Sequence, residues 1–357
     1  MICKIHLLRV INPAGVENMC LNLTKLDSNN RNIAIYTNKN SDENFIEIFK
    51  NYFDEIIFFK QETITKKLVN LINKEKIKHK NKVILISWFF PFSIKIYKYI
   101  DIPILNHIGN PTHAYNLIRL IKNQLIFLNL FLYKNKKITF VYASKHIKDS
   151  FDRFLFPKKI NEKIIYNGDI TYLFDYKKIN IKNISFAMVG RLNKIKNFKE
   201  FINFSSIFFN KHNAHQYLII GEGEDYNKLQ KHNLKNNSIC RFLKRFYDKN
   251  ELYDQFDILV FFNTKSEGFG NVVVEAMNRG KIVAVCDCGG PAELIKDGYD
   301  GIKFKNINDL IYKIENYIFN NKKREQIQIQ AKKSFNKKFD IKEIKKKYDE
   351  EIKLLLA

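Results

Sequence analysis

Two carboxylates flank a glycine-rich segment in the second half of the chain. Glu267 and Glu275 lie at the ends of the sequence EGFGNVVVE, directly after an apolar stretch that predicts a strand. Gly268 and Gly270 let the backbone approach a ligand closely. A helix predicted to begin near Asn271 directs its unpaired N–H groups and positive dipole end toward that ligand. The segment predicts a site for a ligand with hydroxyl and phosphate groups; the alternative is an ordinary capped helix start.

Basic residues that suit a phosphate occur in a second segment, GRLNKIKN at residues 190–197. Arg191 offers a planar fork of donors to phosphate oxygens, and Lys196 offers a mobile point charge. A leaving nucleoside diphosphate needs such neutralisation because negative charge builds on it as its bond breaks. Together with Glu267 and Glu275, this turn predicts a nucleotide sugar as the ligand. A solvated basic turn in a basic protein is the alternative.

Three further positions are candidates for ligand contacts. Gly15 follows the first predicted strand and can offer its backbone N–H to a phosphate, although a tight turn also explains it. His107 ends the fifth predicted strand and could touch a sugar; a structural histidine is the alternative. Gly221 opens the sequence GEGE, but Tyr226 stands where a dinucleotide fingerprint needs its third glycine, so NAD binding is only weakly indicated.

Composition bounds the class of protein. A chain of 357 residues suits two domains of roughly 150 to 200 residues each. Its five cysteines form no even framework, which predicts a reducing cytoplasm. The first residues read as a strand and not as a signal peptide. No apolar run reaches the ~18 residues that a membrane span needs.

The net charge of +24 suggests a polyanionic partner, either a nucleic acid or an anionic membrane surface. Lys, Asn, Ile, Phe and Tyr are all abundant, so a codon bias explains the charge equally well. No helix-turn-helix, zinc-finger or aromatic RNA-binding signature occurs, and we expect no nucleic-acid partner. Residues 117–133, followed by KNKK, predict either a helix on an anionic membrane or a core helix.

Short apolar strands alternate with amphipathic stretches along the whole chain, which predicts parallel sheets and an α/β fold. We expect two doubly wound, Rossmann-like domains facing each other across a cleft, joined within residues 169–183. The predicted boundaries are 1–175 and 180–337, with a C-terminal helix at 338–357 packing back on the first domain. The strands are predicted at residues 4–11, 32–37, 55–59, 82–88, 103–107, 138–143, 163–166, 184–189, 216–220, 238–243, 257–262 and 282–286.

The order and spacing of these motifs resemble glycosyltransferase family 4, retaining enzymes of the GT-B fold that include many lipopolysaccharide and capsule transferases. The matching sequences are IYNGD at 165–169, MVGRL at 188–192 with KN at 196–197, LIIGEG at 218–223, SEGFGNVVVEAM at 266–277 and CGGPAE at 288–293. The first half matches more weakly, through GVE at 15–17, NHIG at 106–109 and VYASK at 141–145.

The resemblance implies a role for each candidate residue. Glu267 would bond hydroxyls of the transferred sugar, and Glu275 would bond the ribose. The diphosphate would be held by Arg191 and Lys196, by the backbone of Phe269, Gly270 and Asn271, and by Gly15 of the other domain. Gly221 would belong to the nucleotide-binding residues, and His107 would lie by the transferred sugar. No metal ion or other cofactor is implied, because these groups supply the positive charge.

The sequence departs from the family pattern at three places. Ala14 precedes Gly15 where the family has a double glycine. The glycine usual in the loop after the tenth strand is replaced near Lys244, and Ile282, after Lys281, stands where proline is common. These departures affect how the nucleotide-sugar donor would be bound more than the implied transfer activity.

The implied activity is retaining, metal-independent transfer of a hexosyl or N-acetylhexosaminyl group. The donor would be a nucleotide sugar, UDP-linked, and the acceptor a lipopolysaccharide, capsule or lipid-linked glycan. The enzyme would be cytoplasmic, or peripheral on the inner face of the cytoplasmic membrane. The alternatives are a nucleotide-sugar 2-epimerase of GT-B-like fold and a non-catalytic polyanion-binding protein.

Overall fold

The structure is a computed structural model that describes residues 1–88, 92–112, 124–125, 128, 137–152, 160–172 and 178–357. The chain forms two units. The first consists of Met1–Ile170 together with Ile341–Ala357, and the second of Thr171–Asp340. The sequence-based boundaries were residue 175 for the end of the first domain and residue 338 for the start of the returning helix.

The first unit contains a parallel sheet of seven strands in the order β3-β2-β1-β4-β5-β6-β7. Its strands are β1 (Cys3–Leu8), β2 (Arg31–Tyr36), β3 (Glu55–Phe58), β4 (Val83–Ser87), β5 (Ile104–Ile108), β6 (Ile138–Tyr142) and β7 (Asn161–Ile164). Its described helices are α1 (Gly15–Lys25), α2 (Glu43–Lys50), α3 (Ile64–Lys78), a 3-10 helix at Phe92–Tyr99, and α4 (Lys145–Phe151).

The second unit contains a parallel sheet of six strands in the order β10-β9-β8-β11-β12-β13. Its strands are β8 (Ser185–Val189), β9 (Gln216–Ile220), β10 (Arg241–Leu243), β11 (Ile258–Phe261), β12 (Ile282–Cys286) and β13 (Ile302–Phe304). Its described helices are α5 (Phe198–Lys211), α6 (Tyr226–Lys235), α7 (Lys249–Asp254), α8 (Asn271–Asn278), a 3-10 helix at Gly290–Glu293, α9 (Ile307–Lys313), a π-helix at Ile314–Ile318, and α10 (Asn321–Lys338). The C-terminal helix α11 (Ile341–Leu356) belongs to the first unit.

The predicted α/β class with two doubly wound sheets is confirmed, and all twelve predicted strands exist. Central strands such as β4 and β8 are apolar except for a serine at one end, and their apolar side chains are buried on both faces, as expected where helices cover a parallel sheet. The prediction missed β13, whose three residues IKF are too short to show a period. It also began β10 three residues too early.

The strand order of the second sheet brings together the two segments that are predicted to bind a ligand. The order reverses beside β8, with β9 on one side and β11 on the other. In open parallel sheets, ligands bind outside the carboxyl ends of the strands at such a switch point. The basic segment at residues 190–197 follows β8, and the glycine-rich segment at 267–275 follows β11. Both therefore lie at the same edge of one sheet.

Helix α11 is held in the first unit by ion pairs and by buried apolar side chains. Lys4 Nζ lies 2.8 Å from Asp27 and 3.2 Å from Asp349, and Lys345 Nζ lies 3.1 Å from Asp27. The side chains of Lys4 and Asp27 are nearly inaccessible, so these pairs are screened far less than surface pairs. The last residues of the chain are thereby fixed against β1 and α1.

The predicted membrane-binding or core helix at residues 117–133 lies outside the described residues, apart from positions 124, 125 and 128. Among the residues that the structure describes, no helix has both the length and the apolar character that a membrane span requires.

Candidate functional site

An ion pair joins the two predicted ligand segments of the second unit. Lys196 Nζ lies 2.8 Å from Glu267 Oε2, with 18% and 14% of the two side chains exposed. The ammonium also lies 4.8 Å above the centre of the Phe261 ring, at the end of β11, which adds a cation–π attraction. A cation that suits phosphate and a carboxylate that suits hydroxyl groups are therefore in direct contact, within reach of solvent.

The loop that carries Lys196 is fixed by backbone contacts. Thr264 N–H donates to the Ile195 carbonyl at 3.2 Å, and Asn197 takes the left-handed conformation with φ of 56° to begin α5. Gly190 has φ of +148°, a conformation that favours glycine, and a Cβ there would be in ordinary van der Waals contact with Lys196 Cε at 3.5 Å. Local backbone geometry thus places the ammonium above the end of β11.

Gly221 packs directly on the backbone of the same loop. Its φ is +142°, and a Cβ at this position would lie 2.1 Å from the Gly190 carbonyl oxygen. Close packing between the β8 and β9 loops is therefore a structural reason for this glycine. The nucleotide-binding role predicted for Gly221 stays a prediction.

The glycine-rich segment at 267–275 contacts two neighbouring glycines, Gly289 and Gly290. Gly290 N–H donates to the Glu267 carbonyl at 2.9 Å, and a Cβ on Gly290 would lie 1.7 Å from the Gly268 oxygen. Gly289 has φ of +68° in the same turn. The CGGPAE motif at 288–293 therefore packs against the backbone of residues 267 and 268. Only glycine fits at position 290, because any Cβ there would collide with the Gly268 oxygen.

Helix α8 begins at Asn271, as predicted, with Gly270 as its N-cap. Gly270 has φ of +88°, in the left-handed region, and a Cβ there would lie 2.8 Å from Pro291 Cγ. Phe269 is buried, with 2% of its surface exposed, so it contributes its backbone and an anchor to the loop. The helix start leaves backbone N–H groups at the carboxyl edge of the sheet, which suits an anion.

Glu275 lies one turn into α8 and already has two partners in the second unit. Lys249 Nζ lies 2.8 Å from its Oε1, and the Tyr253 hydroxyl donates to its Oε2 at 2.8 Å. Sequence reasoning missed both partners, because neither belongs to a motif and only the packing of α7 on α8 brings them close. A ribose hydroxyl at Glu275 would join or replace these contacts.

Arg191 is exposed. No hydrogen bond or ion pair of its guanidinium occurs within the part of the chain that the structure describes, in contrast to Lys196. The two basic residues of the predicted phosphate pair thus differ: one is held against Glu267, and the other is available to a ligand.

His107 and Gly15 lie in the first unit. His107 is 1% exposed, packs 4.7 Å from the Trp88 ring, and has its Nδ1 2.7 Å from the Tyr348 hydroxyl. Burial lowers the pKa of His107 to about 3, so the ring is neutral near pH 7. Gly15 is the first residue of α1. Tyr348, which no motif marks, is a contact that sequence reasoning missed.

A buried cluster of residues that could bind a metal ion lies in the first unit. Among the described residues, Cys3, Glu75 and His79 place ligand atoms within 4.8 Å of one another. Arg31 Nε lies 3.0 Å from Glu75 Oε2 and balances its charge. Burial, reinforced by Glu75, raises the pKa of the Cys3 thiol to about 12, which makes it a poor ligand. The cluster fits an internal ion pair, and metal independence stays a prediction.

Residues 172–334 match the protein family described as glycosyl transferases group 1. This match covers nearly all of the second unit, Thr171–Asp340. The resemblance found in the sequence is thereby confirmed, and the motifs that carry it from residue 188 to residue 293 all lie within the matched segment.

The chain is also similar to known glycosyltransferases and to solved structures. The chain is 31% identical over 208 residues to an uncharacterized glycosyltransferase of Methanocaldococcus jannaschii, covering 56% of this chain and 54% of that protein. It is 29% identical over 211 residues, 56% of this chain and 55% of the relative, to the N,N'-diacetylbacillosaminyl-diphospho-undecaprenol alpha-1,3-N-acetylgalactosaminyltransferase of Campylobacter jejuni. The matched part thus spans about half the length of these relatives.

Among solved structures, Anabaena HepE in complex with UDP and glucose superposes with a TM-score of 0.79 at 18% identity, covering 98% of this chain and 99% of HepE. At this identity the likeness concerns the fold, and it confirms the predicted GT-B fold.

Proposed function

We propose that the chain is a retaining glycosyltransferase that uses a nucleotide sugar, UDP-linked, to extend a glycan or lipid-linked glycan. The transferred group is a hexosyl or N-acetylhexosaminyl residue. The observation that carries the proposal is the contact of Lys196 with Glu267 at the switch point of the second sheet. A donor of this class presents a diphosphate beside a sugar, and these two side chains suit those two parts.

Donor binding replaces the Lys196–Glu267 ion pair with two contacts, Lys196 with the diphosphate and Glu267 with the sugar. The diphosphate competes for Lys196 Nζ, which now lies 2.8 Å from Glu267 Oε2. Once Lys196 turns to the phosphate, the Glu267 carboxylate is left to accept hydrogen bonds from sugar hydroxyls. Charge-assisted bonds of this kind are about twice as strong as neutral ones. Phosphate binding and sugar binding are thereby coupled through a single ion pair.

Bond cleavage requires positive charge on the leaving diphosphate. Lys196, the exposed Arg191 and the N-terminus of α8 supply that charge without a metal ion. Retention of configuration follows if the departing phosphate oxygen accepts the proton of the acceptor hydroxyl on the same face of the sugar. This route relies on positioning more than on a protein base, in agreement with a segment whose acids serve as hydrogen-bond acceptors.

The choice of UDP and of a lipid-linked acceptor is supported by the similar proteins. HepE was solved with UDP and glucose, and the Campylobacter relative is named for transfer to a diphospho-undecaprenol acceptor. An acceptor of that type lies in a membrane, and the net charge of +24 favours an anionic lipid surface. We therefore place the enzyme at the inner face of the cytoplasmic membrane. Flotation with anionic and with neutral liposomes tests this, and equal binding to both would contradict it.

The test of the activity is a panel of nucleotide sugars offered to the purified protein, with thermal shift and donor hydrolysis as readouts. One UDP-sugar should raise the melting temperature and release UDP slowly without an acceptor. Interconversion of the donor with its 2-epimer would instead indicate an epimerase. Binding of heparin and nucleic acid alike, lost in salt and without any sugar preference, would indicate a polyanion-binding protein.

A further inference from the structure

The buried imidazole of His107 has one ring nitrogen with a protein partner and one without. Nδ1 lies 2.7 Å from the Tyr348 hydroxyl. Nε2 is buried and has no hydrogen-bond partner among the residues that the structure describes. Because burial lowers the pKa of His107 to about 3, the neutral ring carries a single hydrogen, on either Nδ1 or Nε2.

The Tyr348 hydroxyl decides between the two tautomers. Burial raises the pKa of Tyr348 well above its usual value, so the phenol keeps its hydrogen. In the described part of the chain, His107 Nδ1 is the sole hydrogen-bond partner of this hydroxyl. A hydrogen on Nδ1 would leave both the phenolic O–H and Nε2 unpaired, and each unpaired buried group costs about 1–3 kcal/mol. A hydrogen on Nε2 lets the phenol donate to Nδ1 and leaves only the Nε2–H unpaired, so this tautomer is favoured.

We propose that Tyr348 is a positioning residue that holds His107 in the Nε2–H tautomer, so that this N–H donates to an oxygen of the bound substrate. A buried donor without a protein acceptor is uncommon in a native structure. An acceptor supplied by the substrate accounts for it.

The surroundings of Nε2 agree with a ligand site. A Cβ on Gly109 would lie 3.5 Å from His107 Nε2 and 2.7 Å from Val16 Cγ2. Val16 is in the first turn of α1, so Nε2 lies where β5 ends and α1 begins. That is the carboxyl edge of the first sheet, where parallel sheets bind ligands. A side chain at position 109 would collide with Val16, so Gly109 lets the start of α1 pack close to this nitrogen.

The rest of the ring's environment fixes its orientation. The Trp88 ring packs 4.7 Å from the imidazole. Tyr348 belongs to α11, which Lys345 and Asp349 anchor to the first unit through Lys4 and Asp27. The C-terminal helix therefore has a role beyond packing, because it delivers the hydroxyl that sets the protonation pattern of His107.

The first test is independent of the proposed function. Nitrogen-15 NMR of histidine-labelled protein without ligand reports which ring nitrogen carries the hydrogen, and His107→Gln identifies the signal. Wild type should show an unprotonated Nδ1 and a protonated Nε2. Tyr348→Phe should convert the signal to a mixture of tautomers. A protonated Nδ1 in wild type would overturn the assignment, whatever the activity.

The second test uses transfer kinetics and rests on the proposed function. Tyr348→Phe should lower kcat/KM about tenfold, the equivalent of one hydrogen bond lost in the transition state. In a His107→Gln background the amide nitrogen replaces Nε2–H and has no tautomer to set, so Tyr348→Phe should have little further effect. An equal loss in both backgrounds would show a merely structural role and overturn the proposal.

Tyr142→Phe is the matched control. It removes a buried hydroxyl of the same unit, which donates to Glu162 at 2.6 Å. It should lower stability without changing the tautomer of His107 or the transfer rate. If no donor supports transfer while the NMR pattern holds, the proposed function fails and the tautomer assignment stands.

Discussion

Lys196 and Glu267 are separated by 71 positions in the chain and by 2.8 Å in the structure, where the ammonium of one contacts Oε2 of the other. Each was predicted from its own motif to bind a different part of one ligand. Their contact means that the ligand-free protein neutralises these two groups internally. In the proposed function, the donor breaks this ion pair in order to bind.

Glu267→Gln should therefore separate nucleotide binding from sugar transfer. Loss of the carboxylate frees Lys196, and because a partly exposed ion pair is worth up to about 1 kcal/mol, UDP should bind up to about fivefold more tightly. Transfer should fall about 10- to 100-fold, because sugar hydroxyls lose a charged acceptor. Calorimetry with UDP and a transfer assay measure the two effects.

Glu222→Gln is the control for this change, since it removes one exposed carboxylate from the neighbouring loop. It should leave both quantities as they are. Weaker UDP binding by Glu267→Gln would contradict the exchange of partners.

Gly221→Ala should destabilise the second unit. Gly221 has φ of +142°, and an added Cβ would lie 2.1 Å from the Gly190 oxygen. The alanine would therefore push apart the loops after β8 and β9 and lower the free energy of unfolding by about 2–4 kcal/mol. Gly15→Ala, at the first helical position of α1, should keep the melting temperature. Thermal unfolding followed by circular dichroism compares them, and an unchanged melting temperature for Gly221→Ala would contradict the packing argument.

Removal of divalent metal should not change turnover. In the proposed mechanism, Lys196, Arg191 and the start of α8 supply the positive charge that a leaving diphosphate needs. Initial rates with EDTA, and after added Mg²⁺, give the comparison. A rate lost in EDTA and restored by Mg²⁺ would show that a metal ion has this role.

Stability should fall as the pH drops below 6.5, and His107 should account for a defined part of that loss. The folded state holds His107 neutral to about pH 3, whereas the unfolded chain binds its proton near pH 6.5. The unfolded state thus binds more protons in this window, which lowers the free energy of unfolding by about 1.4 kcal/mol per pH unit. His6, with its pKa lowered to about 4 by burial, acts in the same direction.

His107→Gln should therefore lose about 2 kcal/mol less than wild type between pH 7 and pH 5. Urea unfolding followed by Trp88 fluorescence measures this, because the chain contains one tryptophan and its ring lies 4.7 Å from His107. An equal loss in both proteins would mean that His107 is protonated in the folded state near pH 6.

The fold could be predicted because central strands are buried on both faces and so are almost entirely apolar, as in β4 and β8. The start of α8 was also predictable, since Gly270 must take a left-handed conformation that other residues avoid. β13 escaped prediction because three residues carry no period.

Contacts between distant segments were beyond the sequence. The bond between His107 and Tyr348 joins residues 241 positions apart, and no motif marks the tyrosine. Likewise, Lys249 and Tyr253 reach Glu275 only because α7 packs beside α8. Motifs identified which residues can bind a ligand, whereas the packing of helices determined the partners of those residues.

The most direct test of the donor-site assignment is Lys196→Ala, measured for UDP affinity and for transfer from the preferred UDP-sugar. Lys194→Ala, an exposed lysine two positions away, is the control. We predict that Lys196→Ala loses most of both activities, by about tenfold or more, while its melting temperature stays near that of wild type and Lys194→Ala behaves as wild type. Full UDP affinity and full transfer in a folded Lys196→Ala protein would contradict the donor site described above.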